Sequence, residues 1–129
     1  MIIANLYVGS RYPVNRQKLR AAVVSVLEKN NITQAQVDVS IVGQRKITTL
    51  NQLSFKKAKP TDVLSFPQHE KKQLDDFPLP EEVVPHLGDV VISYPEAVKM
   101  ACRFGKLVDD QLVVYLEHGL MHLLGYHHE

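Results

Sequence analysis

Cys102 is the only cysteine in this chain of 129 residues. No internal disulfide can form, so stability does not depend on an oxidising compartment, and a reducing cytosol fits better than secretion. Long apolar runs are missing too. No segment approaches the roughly 18 consecutive apolar residues that span a bilayer. The start, MIIANLYVGSR, has no basic region before its apolar residues and no small-residue cleavage pattern after them, so it reads as a strand rather than a signal peptide. A large charge excess is also lacking. The formal net charge of +1 argues against holding nucleic acid by overall basicity, although local patches stay open. Repeats, low-complexity tracts and linkers do not occur. What remains, 45% hydrophobic and 22% charged, is the makeup of one cytoplasmic globular domain over residues 1–129, with enough apolar material for a single core.

The periodicities predict the elements. Ile2 to Val8 alternate loosely and stop at Gly9-Ser10, a first strand. In VNRQKLRAAVVSVLEKNN, Leu19, Ala22, Val23, Val26 and Leu27 recur at helical spacing and Asn30-Asn31 provides the stop. Val37 to Val42 alternate as a strand, Ile47 to Leu53 read as a short helix, and TDVLSFP as a strand closed by Pro67. Gln68 to His86 hold three prolines and five acidic residues with little periodicity, an exposed loop. Gly88 to Ser93 form a further strand, Pro95 starts a helix to about Phe104, and Asp109 or Asp110 caps a last helix ended by Gly125. The order gives an α+β domain with a small mixed sheet of about four strands.

The last helix carries the chemistry. EHGLMHLLGYHHE holds four of the six histidines. At about 100° per residue, His118 and His122 lie within about 40° of each other on one face. Leu112, Val113, Leu116, Leu120, Leu123 and Leu124 form the main apolar stripe, with Val114 and Met121 near the opposite side, so the helix is apolar almost all round and expected to be buried. Gly125 permits a left-handed turn that brings His128 back toward the pair. The spacing H-x3-H-x5-H supplies three imidazoles and leaves a fourth position open, as a catalytic zinc requires. A lone histidine here would be a hydrogen-bonded core residue, and a tag remnant would need a longer histidine run; two histidines facing one way are harder to satisfy without a cation. The long zinc-protease motif shares this spacing and its glycine, but its general-base glutamate is replaced by Gly119, and Glu117 points away.

Three ordered blocks carry a resemblance. HGLMHLLGYHH, KPTDVLSFP and LGDVVIS resemble the signature segments of the YbeY-type endoribonucleases, also called ribosomal RNA maturation factors, covering the chain from about Leu50 onward. The resemblance implies an α+β fold, zinc bound by His118, His122 and His128, and metal-dependent cleavage of single-stranded RNA. It also implies a role in ribosomal RNA maturation and ribosome quality control, with ribosomal RNA and the small ribosomal subunit as partners. Three positions depart from the pattern, the mildest being Met121, which replaces a leucine. His127 stands where the signature has aspartate, and an ungapped count puts Phe55 where the family has an arginine thought to act on substrate. Lys56 and Lys57 are adjacent and could take over the charge in catalysis, without the bidentate fork of arginine.

Apart from the resemblance, the stretch from Gln44 to Pro60 carries Arg45, Lys46, Lys56, Lys57 and Lys59 and no acidic residue. It is either a solvated surface or a phosphate-binding patch. Asp62 and Asp89 read as turn and strand-start residues, with carboxylate roles near a metal as the alternative. Phe55 and Phe66 read as packing residues, with base stacking the alternative. The expected activity is hydrolysis of RNA at a one-zinc centre. The rivals are a zinc peptidase, disfavoured by Gly119, and a ribosome- or RNA-binding module whose metal is structural or absent.

Overall fold

The computed structural model describes residues 1–55, 61–68 and 84–125. Eight elements follow one another: β1 (Ile2–Val8), α1 (Arg16–Lys29), β2 (Ala35–Val42), α2 (Gln44–Phe55), β3 (Val63–Pro67), β4 (His86–Ser93), α3 (Tyr94–Phe104) and α4 (Val108–Leu123). The strands form one mixed sheet in the order β1-β2-β4-β3. β1 runs parallel to β2 and β2 parallel to β4, whereas β3 returns antiparallel on β4, pairing Val63 with Ile92 and Phe66 with Asp89. The expected α+β class and four-stranded mixed sheet are observed.

Strand alternation decides what each face of the sheet holds. In β2, Val37, Val39 and Ile41 are fully or almost fully buried on one face, where they meet Val90 and Ile92 of β4. This face receives α1 through Leu19, Val23 and Leu27, and α4 through Leu112, Leu116, Leu120 and Leu123. The opposite face has a smaller cluster: Ile47 of α2 packs on Val42, Leu64 and Val91, with Leu50 and Phe66 at its margin. Full burial of a leucine contributes about 1.5–3 kcal/mol. The deeper face therefore supplies most of the stability.

Local signals set the helix ends. Asn15 caps α1 by accepting from the Lys18 N–H at 3.1 Å, and Asn31, at φ 63°, makes the left-handed turn that follows it. Ser93 caps α3 by accepting from the Glu96 N–H, Pro95 lies in its first turn, and Gly105 closes it at φ 64°.

Three expectations are corrected by the structure. Neither Asp109 nor Asp110 caps α4: Leu107 stands at its N-cap without a side-chain hydrogen bond. Asp109 instead accepts from the Asn15 N–H, and Asp110 pairs with Lys18, so both carboxylates tie the start of α4 to the start of α1. They still lie in the first turn, where the helix dipole favours negative charge. The last helix is also not buried all round: Val114, Glu117 and His118 are exposed. β4 begins two residues before Gly88, so His86 belongs to the sheet rather than to a loop; residues 69–83 of the expected loop lie outside the described residues.

Candidate metal and nucleic-acid site

α4 lies against β3 and β4 with Gly119 at the closest approach. A Cβ built on Gly119 would sit 2.6 Å from Cγ1 of Val90, far inside van der Waals contact. The position that holds a glutamate in the zinc-protease motif is therefore pressed against the sheet, and no larger side chain fits there without moving the helix. This close seating turns the next helical face toward the outer edge of β3. His118 and His122 occupy that face, their ring centroids 4.4 Å apart and their planes inclined by 50°. The Ser65 hydroxyl lies 3.5 Å from Nδ1 of His122. A hydroxyl at this distance bears on the orientation of the ring, with donor and acceptor set by the His122 tautomer.

Both rings line a cleft of about 750 Å³, walled by α4, by β3 and the turn before it, and by the end of α2. Asp62 and Ser65 line it, as do Asn51, which is buried, and Phe55. Asp62 accepts the N–H of Val63 at 2.7 Å, and its carbonyl accepts the N–H of Ser93 at 2.8 Å. That is the turn role expected of it. Phe55 packs on Phe66 with centroids 5.7 Å apart, yet remains 46% exposed at the cleft wall. An apolar ring thus occupies the wall at the position where the resemblance expects an arginine.

The expected ligands and cations divide as follows. His118 and His122 are brought together, and Gly125 adopts a positive φ of 90° as expected, whereas His128, together with His127, lies outside the described residues. Arg45 and Lys46 are exposed in the first turn of α2; Lys46 lines a separate cavity at the ends of β1 and β2 rather than the histidine cleft. Lys56, Lys57 and Lys59 lie outside the described residues.

On the opposite face of the sheet, three side chains missed as a group come together. Asp38, His86 and Asp89 place one ligand atom each within 4.8 Å of one another, close enough to hold a metal ion. Nε2 of His86 is 3.2 Å from Oδ2 of Asp38 and 4.0 Å from Oδ1 of Asp89. Asn5 donates to the other oxygen of Asp38 at 2.9 Å, and Gln68 contacts Nδ1 of His86. Asp89 is thus not a strand-start residue, for it sits inside β4 opposite Asp38. Its carboxyl is raised from the ordinary 3.8, first by burial and then by the Asp38 carboxylate beside it, with His86 acting in the opposite sense. Alternation in β2 and β4 places Asp38 and Asp89 on one face, but only the register that pairs them makes a site. That pairing spans 51 positions of sequence and left no local signal.

Comparison with known proteins agrees with this architecture. Residues 9–129 match the family model described as endoribonuclease YbeY. The endoribonuclease YbeY of Persephonella marina is 37% identical over 128 residues, covering 99% of this chain and 78% of that protein. That of Dehalococcoides mccartyi is 43% identical over 101 residues, covering 74% of this chain and 63% of the relative. The solution structure of TM1509 from Thermotoga maritima superposes with a TM-score of 0.60 at 27% identity, covering all of this chain and 75% of that one. With a family model matching residues 9–129 and a relative 37% identical over almost the whole chain, the chain belongs to the endoribonuclease YbeY family.

Proposed function

We propose that this protein is a metal-dependent endoribonuclease that cuts single-stranded RNA, acting in the cytoplasm in ribosomal RNA maturation and ribosome quality control, with the small ribosomal subunit as a partner. The observation that carries the reading is the convergence of the His118 and His122 rings, 4.4 Å apart, on the wall of a cleft. It stands beside relatives named as endoribonucleases.

The donor set fits a zinc ion. His118 and His122 would hold it with His128 as third ligand, an all-imidazole set that leaves one coordination position open. Held there, the ion would supply Lewis-acid chemistry, activating water at neutral pH and polarising a phosphoryl oxygen. The rest falls to the chain itself. Ser65, 3.5 Å from Nδ1 of His122, would help to orient that ring, Asp62 and the β3 edge shape the floor, and the exposed Phe55 ring offers a stacking surface for a base. Lys56 and Lys57 follow α2 directly in sequence and are proposed to offset charge that grows on the phosphate. Peptidase chemistry is disfavoured, because the position of its general base is taken by Gly119, where the helix touches the sheet.

Asp38, His86 and Asp89 offer a second place for a cation, so the test must separate the two. Untagged protein is analysed for metal and assayed on single-stranded RNA with and without chelator, alongside His118→Ala, His122→Ala and His86→Ala. The expected result is loss of both zinc and cleavage in the first two variants and retention of both in the third. Full zinc content and undiminished cleavage in His118→Ala and His122→Ala defeat the proposal. Metal lost only from His86→Ala moves the centre to the other face of the sheet.

A further inference from the structure

The near-zero net charge hides a strong segregation along the chain. Residues 1–55 carry seven arginines and lysines against two acidic residues, Glu28 and Asp38. The fold gathers three of those cations in one place. A cavity of about 720 Å³ opens at the carboxyl ends of β1 and β2, and Arg11, Arg16 and Lys46 line it with no acidic side chain among its lining residues.

The sheet topology explains why a cavity forms there. From the end of β1 the chain leaves for α1, on the deeper face; from the end of the neighbouring β2 it leaves for α2, on the other. Adjacent parallel strands whose connections part to opposite faces leave a crevice between them, and in open sheets that crevice is where ligands bind. Its floor is stiff. Tyr12 stacks on Tyr94 with centroids 4.4 Å apart and planes 18° from parallel. It also fills the space beside Gly9 and Gly43, where an added Cβ would come within 3.0 and 2.9 Å of it. Arg16 is held by its bond to the Leu6 carbonyl at 3.4 Å, while Arg11 and Lys46 project into solvent and the Tyr7 ring at the rim is 58% exposed.

α2 joins this crevice to the histidine cleft. Lys46 lines one, and Asn51 and Phe55 line the other, a span of roughly 14 Å along the helix axis from Lys46 to Phe55. The helix between them has no acidic residue. We propose that the crevice is a second contact for the RNA strand: Arg11, Arg16 and Lys46 grip its phosphodiester backbone, Tyr7 offers a ring to a base, and the strand follows α2 to the histidine cleft. The inference rests on the reading of the protein as an RNA-cutting enzyme. Cations and glycine backbone lining one cavity with no acidic side chain suit phosphate groups, and backbone contacts of this type are indifferent to sequence.

The test uses the full chain and a labelled oligouridylate long enough to reach both sites, with oligothymidylate of the same length as an uncleavable control. Arg11→Gln with Lys46→Gln, both at exposed positions, is expected to weaken binding roughly tenfold and to shallow the dependence of log affinity on log salt by about 1.4. A measurement on the unaltered protein guards against a folding defect: addition of either oligonucleotide should shift the backbone amide resonances of Gly9 and Gly43. Unchanged affinity and salt slope in the double variant, or glycine amides that do not respond to either strand, overturn the proposal. Cleavage is scored separately, so a protein that binds at the crevice and cuts no RNA sinks the functional reading while leaving the crevice established.

Discussion

At Gly119 a single hydrogen atom sets the distance between α4 and the sheet. Replacement by alanine puts a methyl group 2.6 Å from Val90, and the overpacking should cost about 1–3 kcal/mol. Urea unfolding would measure the loss, and metal content should fall with it, because the helix that carries both imidazoles would be displaced. Gly88 is fixed for a different reason: its φ of 144° and the Phe66 carbonyl oxygen, 2.2 Å from a would-be Cβ, leave room for no side chain. The Asp89 carboxyl, raised by burial and by Asp38, binds its proton more tightly in the folded chain than in the unfolded one. Its contribution to stability therefore falls as pH rises from the ordinary carboxylate value through the raised one. Asp89→Asn should be stabilising at neutral pH, with the gain vanishing in acid, when unfolding is followed in chelator. A gain that does not change with pH would contradict the assigned cause.

The elements differ in how openly the sequence announces them. α1 and α3 have their caps in local residues, Asn15 for one and Ser93 with Pro95 for the other. Ser93→Ala should therefore cost about 1 kcal/mol, read from the denaturation midpoint. α4 misleads in both directions. Its first-turn aspartates look like caps but serve α1, and its abundance of leucine suggests burial on every side. Only packing shows that Leu116 and Leu120 face the sheet while Val114 and His118 face outward. Leu120→Ala, at a fully buried position, should destabilise by about 2–5 kcal/mol. β4 extends back to His86 because pairing with β2 continues past the glycine, and no alternation within the segment marks that.

For the molecule as a whole, stability and chemistry are separable. None of the buried residues of the larger core lines the histidine cleft; the two meet through α4 and through Val63 of β3, which packs against that core and also lines the cleft. Chelation should accordingly abolish cleavage while leaving the far-UV circular dichroism spectrum and cooperative unfolding intact; unfolding on chelation would make the metal structural. No helix among the described residues is long and apolar enough to cross a membrane.

The sequence by itself determined the α+β class, the main elements and the placing of His118 and His122 on one helical face, because strand alternation, helical spacing and capping are set by residues close along the chain. Only the tertiary structure decided which faces meet. It placed Gly119 against Val90, gathered Asp38, His86 and Asp89 across two strands, and joined Arg11, Arg16 and Lys46 at the ends of two others. Such contacts depend on strand order and register, and these are fixed by burying both faces of the sheet at once rather than by any local pattern.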